Sequence, residues 1–520
     1  MNVRRHPNGL NYRASLDNFE EAVISSHFMA DLSKDLGLRL YDNDEFWSKS
    51  TTIASRAVAE SLIPSLRRSA SAFAHERACA ARLRAMRNHA SYGLTHPSQA
   101  GASEFITEIL FDRQFRDGGL ETCSRQALRN EIALRISAGS PIEMAIPALP
   151  HKFSCPLKTR GILPDLSDVD FILGLYEIVA AVEELYREDQ RKLPKPLARF
   201  TIVSDGTRFS ELTNESEVGI NAYREALARW IEVLQLQDYV ELIEYRKLLR
   251  DRLPEAAQIT KGVLRQRALR DYTSAMSAIF NPSNMTATLR EAAIRAPDPE
   301  CNNPEGRFVS LFKSLIFIVR YHTLDRLHSL SPAQFRDLYR ELTSHLCEPF
   351  VTLTGDELKE AGEELARCGA RVEAAAVKEY LRRAMLKEVW DSTIAYIAEI
   401  KSDREQGCDP VSRCLPNHLR WTIHAKPGQL GLRTPSALGK RVLAWAGAAV
   451  FKRTKFGGIR LCTLPVLALE GAGAIPVLVA DRVRGEIEQP FFYLYPDIAF
   501  TGISGFLEEL STHLIRRRAR

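Results

Sequence analysis

Phe200-Thr-Ile-Val-Ser-Asp-Gly-Thr-Arg-Phe209 decides the fold. The apolar run from Arg199 to Ser204 reads as a strand, and Asp205-Gly206 turns it. After Asn214 to Ser216, apolar positions Ile220, Tyr223, Leu227, Trp230, Ile231 and Leu234 recur at helical spacing. The same shape occurs upstream in Gly139-Ser-Pro-Ile-Glu-Met-Ala-Ile-Pro-Ala-Leu-Pro-His-Lys152, where Ile142 to Leu149 is a short strand punctuated by prolines. Ser167 or Asp168 can cap the helix that follows, whose apolar positions are Leu175, Ile178, Val179, Val182, Leu185 and Tyr186. Pro194 and Pro196 break it. Strand, helix, strand, helix predicts crossover connections. The expected class is therefore α/β, a Rossmann-like mixed or mostly parallel sheet flanked by helices, with polar groups at the carboxyl ends of its strands.

Outward from this core the texture changes. Residues 1–130 read as an N-terminal helical extension, because Ala54 to Arg87 is rich in Ala, Arg, Leu and Glu without a β-branched run. The α/β core is expected over 131–330 and a helical insertion over 331–410. In the insertion Leu358, Ala361, Leu365, Cys368, Val372 and Ala375 follow a 3,4 repeat, read as a packed helix rather than a coiled coil. Strand character returns over 411–510: Leu419 to His424, Val442 to Phe451, Ile459 to Leu469 and Ile475 to Ala480, with Gly471-Ala-Gly-Ala as a hairpin turn between the last two. Residues 511–520 form a basic tail.

Composition sets outer bounds. The chain has 520 residues, 45% hydrophobic and 26% charged, the texture of a globular protein with a large core. A formal net charge of +5 over that length gives no general polyanion signal, so no nucleic acid partner is expected. The nine cysteines are scattered without a CxxC pair or a Cys/His cluster of zinc spacing, which fits a reduced compartment. No apolar run approaches a membrane span and no h-region follows Arg4-Arg5, so a cytoplasmic location is expected. Gly471-Ala-Gly-Ala-Ile-Pro476 is no dinucleotide loop, since strand and not helix follows it. Gly439-Lys440 lacks the rest of a P-loop, Gly502-Ile-Ser-Gly505 has the wrong spacing for a nucleophile elbow, and His75-Glu76 is not followed by a second histidine at the required spacing. No metal or cofactor site is expected.

Four segments together resemble the isonitrile (isocyanide) synthase family of pyoverdine and dityrosine biosynthesis proteins. They are Gly139-Ser-Pro-Ile142 leading to Pro150-His-Lys152; Lys158 through Gly161-Ile-Leu-Pro-Asp165; Val203-Ser-Asp-Gly-Thr-Arg-Phe209 followed by Tyr223-Arg224; and Leu419-Arg-Trp-Thr-Ile-His424 with Lys426 and Gly431. The second and third are the specific ones, because identity and order both match. Where the family usually has Trp-His-Gly, this chain has Trp445-Ala446-Gly447. If that histidine handles a proton, this protein is altered or inactive.

The resemblance implies condensation of the amine of tyrosine or tryptophan with the ketone of ribulose 5-phosphate, leaving the ketone carbon as the isonitrile carbon. It implies no cofactor beyond that co-substrate, and a downstream iron/2-oxoglutarate oxygenase acting on the product. Such chemistry needs cations for a phosphate and a carboxylate, and groups that move protons. Asp205, His424 and Lys152 are the catalytic candidates. Arg208, Lys158, Arg160, Ser204, Asp165 and Lys426 are the substrate-binding candidates. Each has a plainer reading: Asp205 as a turn residue, Arg208 as a surface partner of Glu211, Lys152 as a solvated loop lysine, Asp165 as a cap, His424 and Tyr223 as core. Two alternatives to a synthase remain: a related amine-modifying enzyme of the dityrosine type, and a diverged, non-catalytic helical scaffold.

Overall fold

The structure is a computed structural model. It describes residues 46, 48–91, 101–116, 124–152, 163–187, 196–213, 217–279, 391–400, 402, 409–423, 429–434, 442–445, 447–465, 468–469, 471–480, 489–499 and 501–515. Two compact units divide the chain. One comprises Asp44–Arg208, Ser216–Leu253 and Pro410–Arg520; the other Met1–Asn43, Phe209–Glu215 and Pro254–Asp409.

The first unit opens with strand β1 (Thr51–Ala54), then helical turns, one of them π-helical at Val58–Leu62, that run into the long helix α1 (Ile63–Ser91). Helices α2 (Ala102–Leu110) and α3 (Arg125–Ser137) follow, the latter capped by Ser124, whose hydroxyl accepts the Ala127 N–H. Next come β2 (Ile142–Pro147), α4 (Leu166–Arg187), β3 (Ala198–Ser204), α5 (Gly206–Thr213, whose residues from Phe209 on belong to the other unit), α6 (Glu217–Val233), β4 (Val240–Glu244) and α7 (Tyr245–Arg252). In the second unit, α8 (Glu255–Ile279) faces the helical residues 391–400. Glu399 ties them together, accepting from Lys261 at 2.7 Å and Arg265 at 3.1 Å. The chain returns to the first unit with α9 (Pro410–Cys414), β5 (Leu419–Thr422), β6 (Leu430–Gly431), β7 (Gly447–Arg453), β8 (Ile459–Pro465), β9 (Ile475–Ala480), β10 (Gln489–Leu494), α10 (Pro496–Ala499) and α11 (Gly502–His513).

The strands form two sheets. One has the order β4-β3-β2-β5-β6, and all its pairings are parallel. Its central strands are near-continuous apolar runs because both faces are covered. The other, β1-β9-β10-β7-β8, is mixed. The expected α/β class with its parallel sheet is therefore correct. The strands from residue 447 onward build the second sheet, together with β1. The Gly471 turn is no hairpin, since β8 lies at the sheet edge beside β7, and β9 lies between β1 and β10.

Helix α4 joins the two layers. It packs on β3 and β4 of the parallel sheet and on β7, β8 and β10 of the mixed one. From Leu166 to Tyr186 only Ala180 and Glu184 are not buried. A helix apolar almost all round belongs between layers rather than at a surface. The expected stripe Leu175, Ile178, Val179, Val182, Leu185 and Tyr186 is buried throughout. Polar residues on such a helix need partners, and its first turn supplies the site.

Candidate functional site

Parallel pairing puts the carboxyl ends of β2, β3, β4 and β5 along one edge. Pro147 stands beside Val203, and Ser204 beside Glu244. Two contacts weld the ends of β2 and β3. The Ser204 hydroxyl donates to the Leu149 carbonyl at 2.9 Å, and a Cβ at Gly206 would lie 1.8 Å from the Pro150 carbonyl oxygen. Only glycine fits there. Leu149 itself takes φ +53°, a strained conformation for a branched side chain, at the point where the chain leaves β2. Lys152 and Ser204-Asp205-Gly206 thus share one edge, as the strand–helix pattern predicts.

Lys152 is wholly buried, not the solvated loop lysine that the sequence left open. Its ammonium reaches Asp165 at 2.5 Å and also pairs with Asp168, both carboxylates being buried. Asp168 Oδ1 accepts the Tyr223 hydroxyl at 2.9 Å, and Oδ2 accepts the Asp165 backbone N–H at 3.0 Å. Asp165 Oδ1 takes the Ser167 N–H at 2.9 Å and the Ser167 hydroxyl, which also lies 2.7 Å from the Ala444 carbonyl. Asp165 therefore both bends the chain into α4 and holds the lysine. With all three ionised, the Lys152 ammonium lies between two buried carboxylates. Burial pushes the Tyr223 hydroxyl well above its usual range, and the Asp168 and Asp165 charges push it further.

Beside this cluster the ends of β3 and β4 carry a second group. Arg208 lies over the Tyr245 ring, 5.1 Å from its centre. The Thr207 hydroxyl donates to Glu244, which also caps α7 by accepting the Arg246 and Lys247 N–H groups. The Asp205 carbonyl accepts the Arg208 N–H at 3.0 Å, and the Asp205 side chain is half-buried. His418 sits at the other end of the sheet, 3.9 Å from Glu143 and just before β5, where burial lowers its pKa. It takes no part in this edge.

Of the residues expected from sequence, the edge brings together Lys152, Asp165, Ser204, Asp205 and Arg208. Lys158, Arg160, His424, Lys426 and Ala446, and the side chain of Glu211, lie outside what is described. Asp168 and Tyr223 were read as cap and core. A tyrosine on an apolar helix face carries no local sign of a partner 55 positions away, so sequence reasoning missed the pair.

A family model falls on this same region. Residues 132–302 match the family model described as pyoverdine/dityrosine biosynthesis protein. Over 101 residues the chain is 33% identical to the L-tyrosine isonitrile synthase of Pseudomonas aeruginosa, a stretch covering 19% of this chain. The match spans 28% of that relative's length. Among solved structures, the PvcA protein from Pseudomonas aeruginosa is similar with a TM-score of 0.34 and 18% identity, covering 71% of this chain and 91% of that one. The matched residues contain β2, β3, β4 and the whole Lys152–Asp165–Asp168–Tyr223 cluster. Through that segment the chain is similar to the pyoverdine/dityrosine biosynthesis protein family.

Proposed function

We propose that this chain is an isonitrile synthase-like enzyme, joining the amine of tyrosine or tryptophan to the ketone of ribulose 5-phosphate. The observation that carries this reading is the buried cluster of one lysine and two aspartates at the carboxyl edge of the parallel sheet, within the family-matched segment. Amine addition to a ketone passes through a carbinolamine that loses water to an imine, so positive charge develops on nitrogen. Buried carboxylates held in place favour that charge, and do so before the reaction begins. The same carboxylates disfavour a phosphate, so in this reading the sugar phosphate binds nearer Arg208. There a guanidinium backed by Tyr245 can take an oxyanion in bidentate fashion.

In this reading Lys152 orients Asp165 and Asp168 and can return a proton to the departing oxygen. Asp205 serves as base for the eliminations, with His424 as its counterpart beyond β5. Ser204 shapes the mouth, and Lys158, Arg160 and Lys426 add cationic contacts to phosphate and carboxylate. A diverged, non-catalytic core is the competing reading, and one observation favours it: Lys152 is satisfied within the protein. Incubation of the purified protein with each aromatic amino acid and ribulose 5-phosphate, followed by tetrazine trapping, separates the two. A trapped isonitrile is the expected outcome. Binding of both substrates without any trapped product would assign the chain to the non-catalytic reading.

A further inference from the structure

His75 and Cys79 lie one turn apart on α1, and Glu184 reaches them from α4. His75 Nδ1 stands 2.8 Å from Glu184 Oε1, while its Nε2 lies 3.7 Å from Cys79 Sγ. A carboxylate only accepts, so Glu184 holds the proton on Nδ1 and leaves Nε2 with its lone pair beside the sulfur. A histidine nitrogen at about 2.05 Å and a thiolate at about 2.3 Å on one tetrahedral zinc ion are separated by roughly 3.6 Å. The two atoms already stand at the spacing of ligands to a single ion. Each of the three residues offers one ligand atom, and these lie within 4.8 Å of one another.

Access agrees with this. The His75 side chain is 68% exposed and that of Glu184 32%, so an ion can enter with part of its water shell. Among the described cysteines Cys414 and Cys462 are buried, and burial pushes the Cys462 thiol up to about 11. Cys79 alone of these three is reachable from solvent. The site is separate from the proposed reaction. Glu184 is sixteen residues along α4 from Asp168, about 24 Å at the helical rise.

We propose that Cys79 Sγ and His75 Nε2 bind a thiophilic divalent cation, Zn²⁺ foremost, with Glu184 orienting the imidazole through Nδ1 and water filling the remaining positions. A sulfur–imidazole pair selects zinc and its neighbours over magnesium or calcium. Binding replaces the Cys79 S–H bond by a sulfur–metal bond and releases that proton to solvent, while the imidazole binds neutral. A filled site fixes the α1 side chains that Glu184 of α4 already touches, so the metal raises thermal stability.

Chelator-treated full-length protein titrated with Co²⁺ tests the proposal, because thiolate ligation gives a sulfur-to-cobalt charge-transfer band. Zn²⁺ affinity is read by competition with a chromophoric chelator, and circular dichroism confirms that each variant is folded. The wild type should show the band and bind Zn²⁺ with a rise in Tm. Cys79→Ser should abolish the band, and His75→Ala should weaken Zn²⁺ binding at least as much as Glu184→Gln. Glu184→Gln should keep the band and weaken Zn²⁺ roughly 10–100-fold, the scale for a group that orients a ligand. A band and affinity unchanged in Cys79→Ser, or no band in the wild type, would overturn it.

Discussion

Removing the Lys152 ammonium would strand Asp165 and Asp168 in a place that water does not reach. Lys152→Met should therefore cost about 3–5 kcal/mol of stability in urea unfolding, the scale for breaking a buried ion pair from one side. A cost under about 1 kcal/mol would mean that the carboxylates are protonated or solvated instead. Tyr223→Phe should remove about 1.5–3 kcal/mol, as one hydrogen bond to a charged group is lost. Its pH dependence has a definite sign. The folded-state pKa of Tyr223 is raised above 10.0, so its contribution is present below that pH and is lost as pH rises through the folded value. Above pH 10 the wild type should lose stability more steeply than Tyr223→Phe. At the second group, Arg208→Ala should weaken phosphate binding by about 1.5–3 kcal/mol by calorimetry. Equal affinities would remove Arg208 from the phosphate site. The shared edge of Lys152, Ser204, Asp205 and Arg208 was legible because polar residues after apolar runs mark the carboxyl ends of strands, whereas Asp165 was singled out by the family resemblance. Asp168 was not, because an aspartate in the first turn of a helix is read as a cap.

At the scale of elements, the join between β2 and β3 holds the site together. Gly206→Ala would drive a methyl group into the Pro150 carbonyl, which is backbone and cannot swing aside. The expected cost is about 1–3 kcal/mol of stability, with lost turnover as Lys152, two residues beyond Pro150, is displaced. A variant with wild-type stability and turnover would show that this approach is not needed. Helices α4 and α6 could be read from their period, and the strands β2 and β3 from their apolar runs. β10 could not: Pro490 demotes its run, yet the strand lies inside the mixed sheet. The structure resolves the conflict with a register shift between Pro490 and Phe492, where a missing N–H is tolerated. β1 has four residues, too short for any period to register, and its partner β9 lies more than four hundred positions later.

Over the whole molecule, the site edge draws on distant parts of the sequence. β5 pairs with β2, bringing Leu419 beside Met144 and aligning the carboxyl end of β5 with the Lys152 edge. The start of the parallel sheet was legible because β2 and β3 alternate with helices over 140–234, whereas β4 was not, since the chain from 240 onward reads as mainly helical. The second sheet was not, since its strand order β1-β9-β10-β7-β8 follows no local rule. Across the described residues no helix is long and apolar enough to cross a membrane. The claim that unites these levels is that an amine and a sugar ketone meet at the Lys152 edge and exchange their carbon–oxygen bond for a carbon–nitrogen one. Ribulose 5-phosphate isotopically labelled at its ketone carbon, given with tyrosine or tryptophan, tests it most directly by mass spectrometry of the tetrazine-trapped product. The account predicts that the label appears in the isonitrile carbon with wild-type protein, and that Asp205→Asn lowers the yield about 10²–10⁴-fold. Trapped isonitrile without the label, or no isonitrile from protein that binds both substrates, would contradict it.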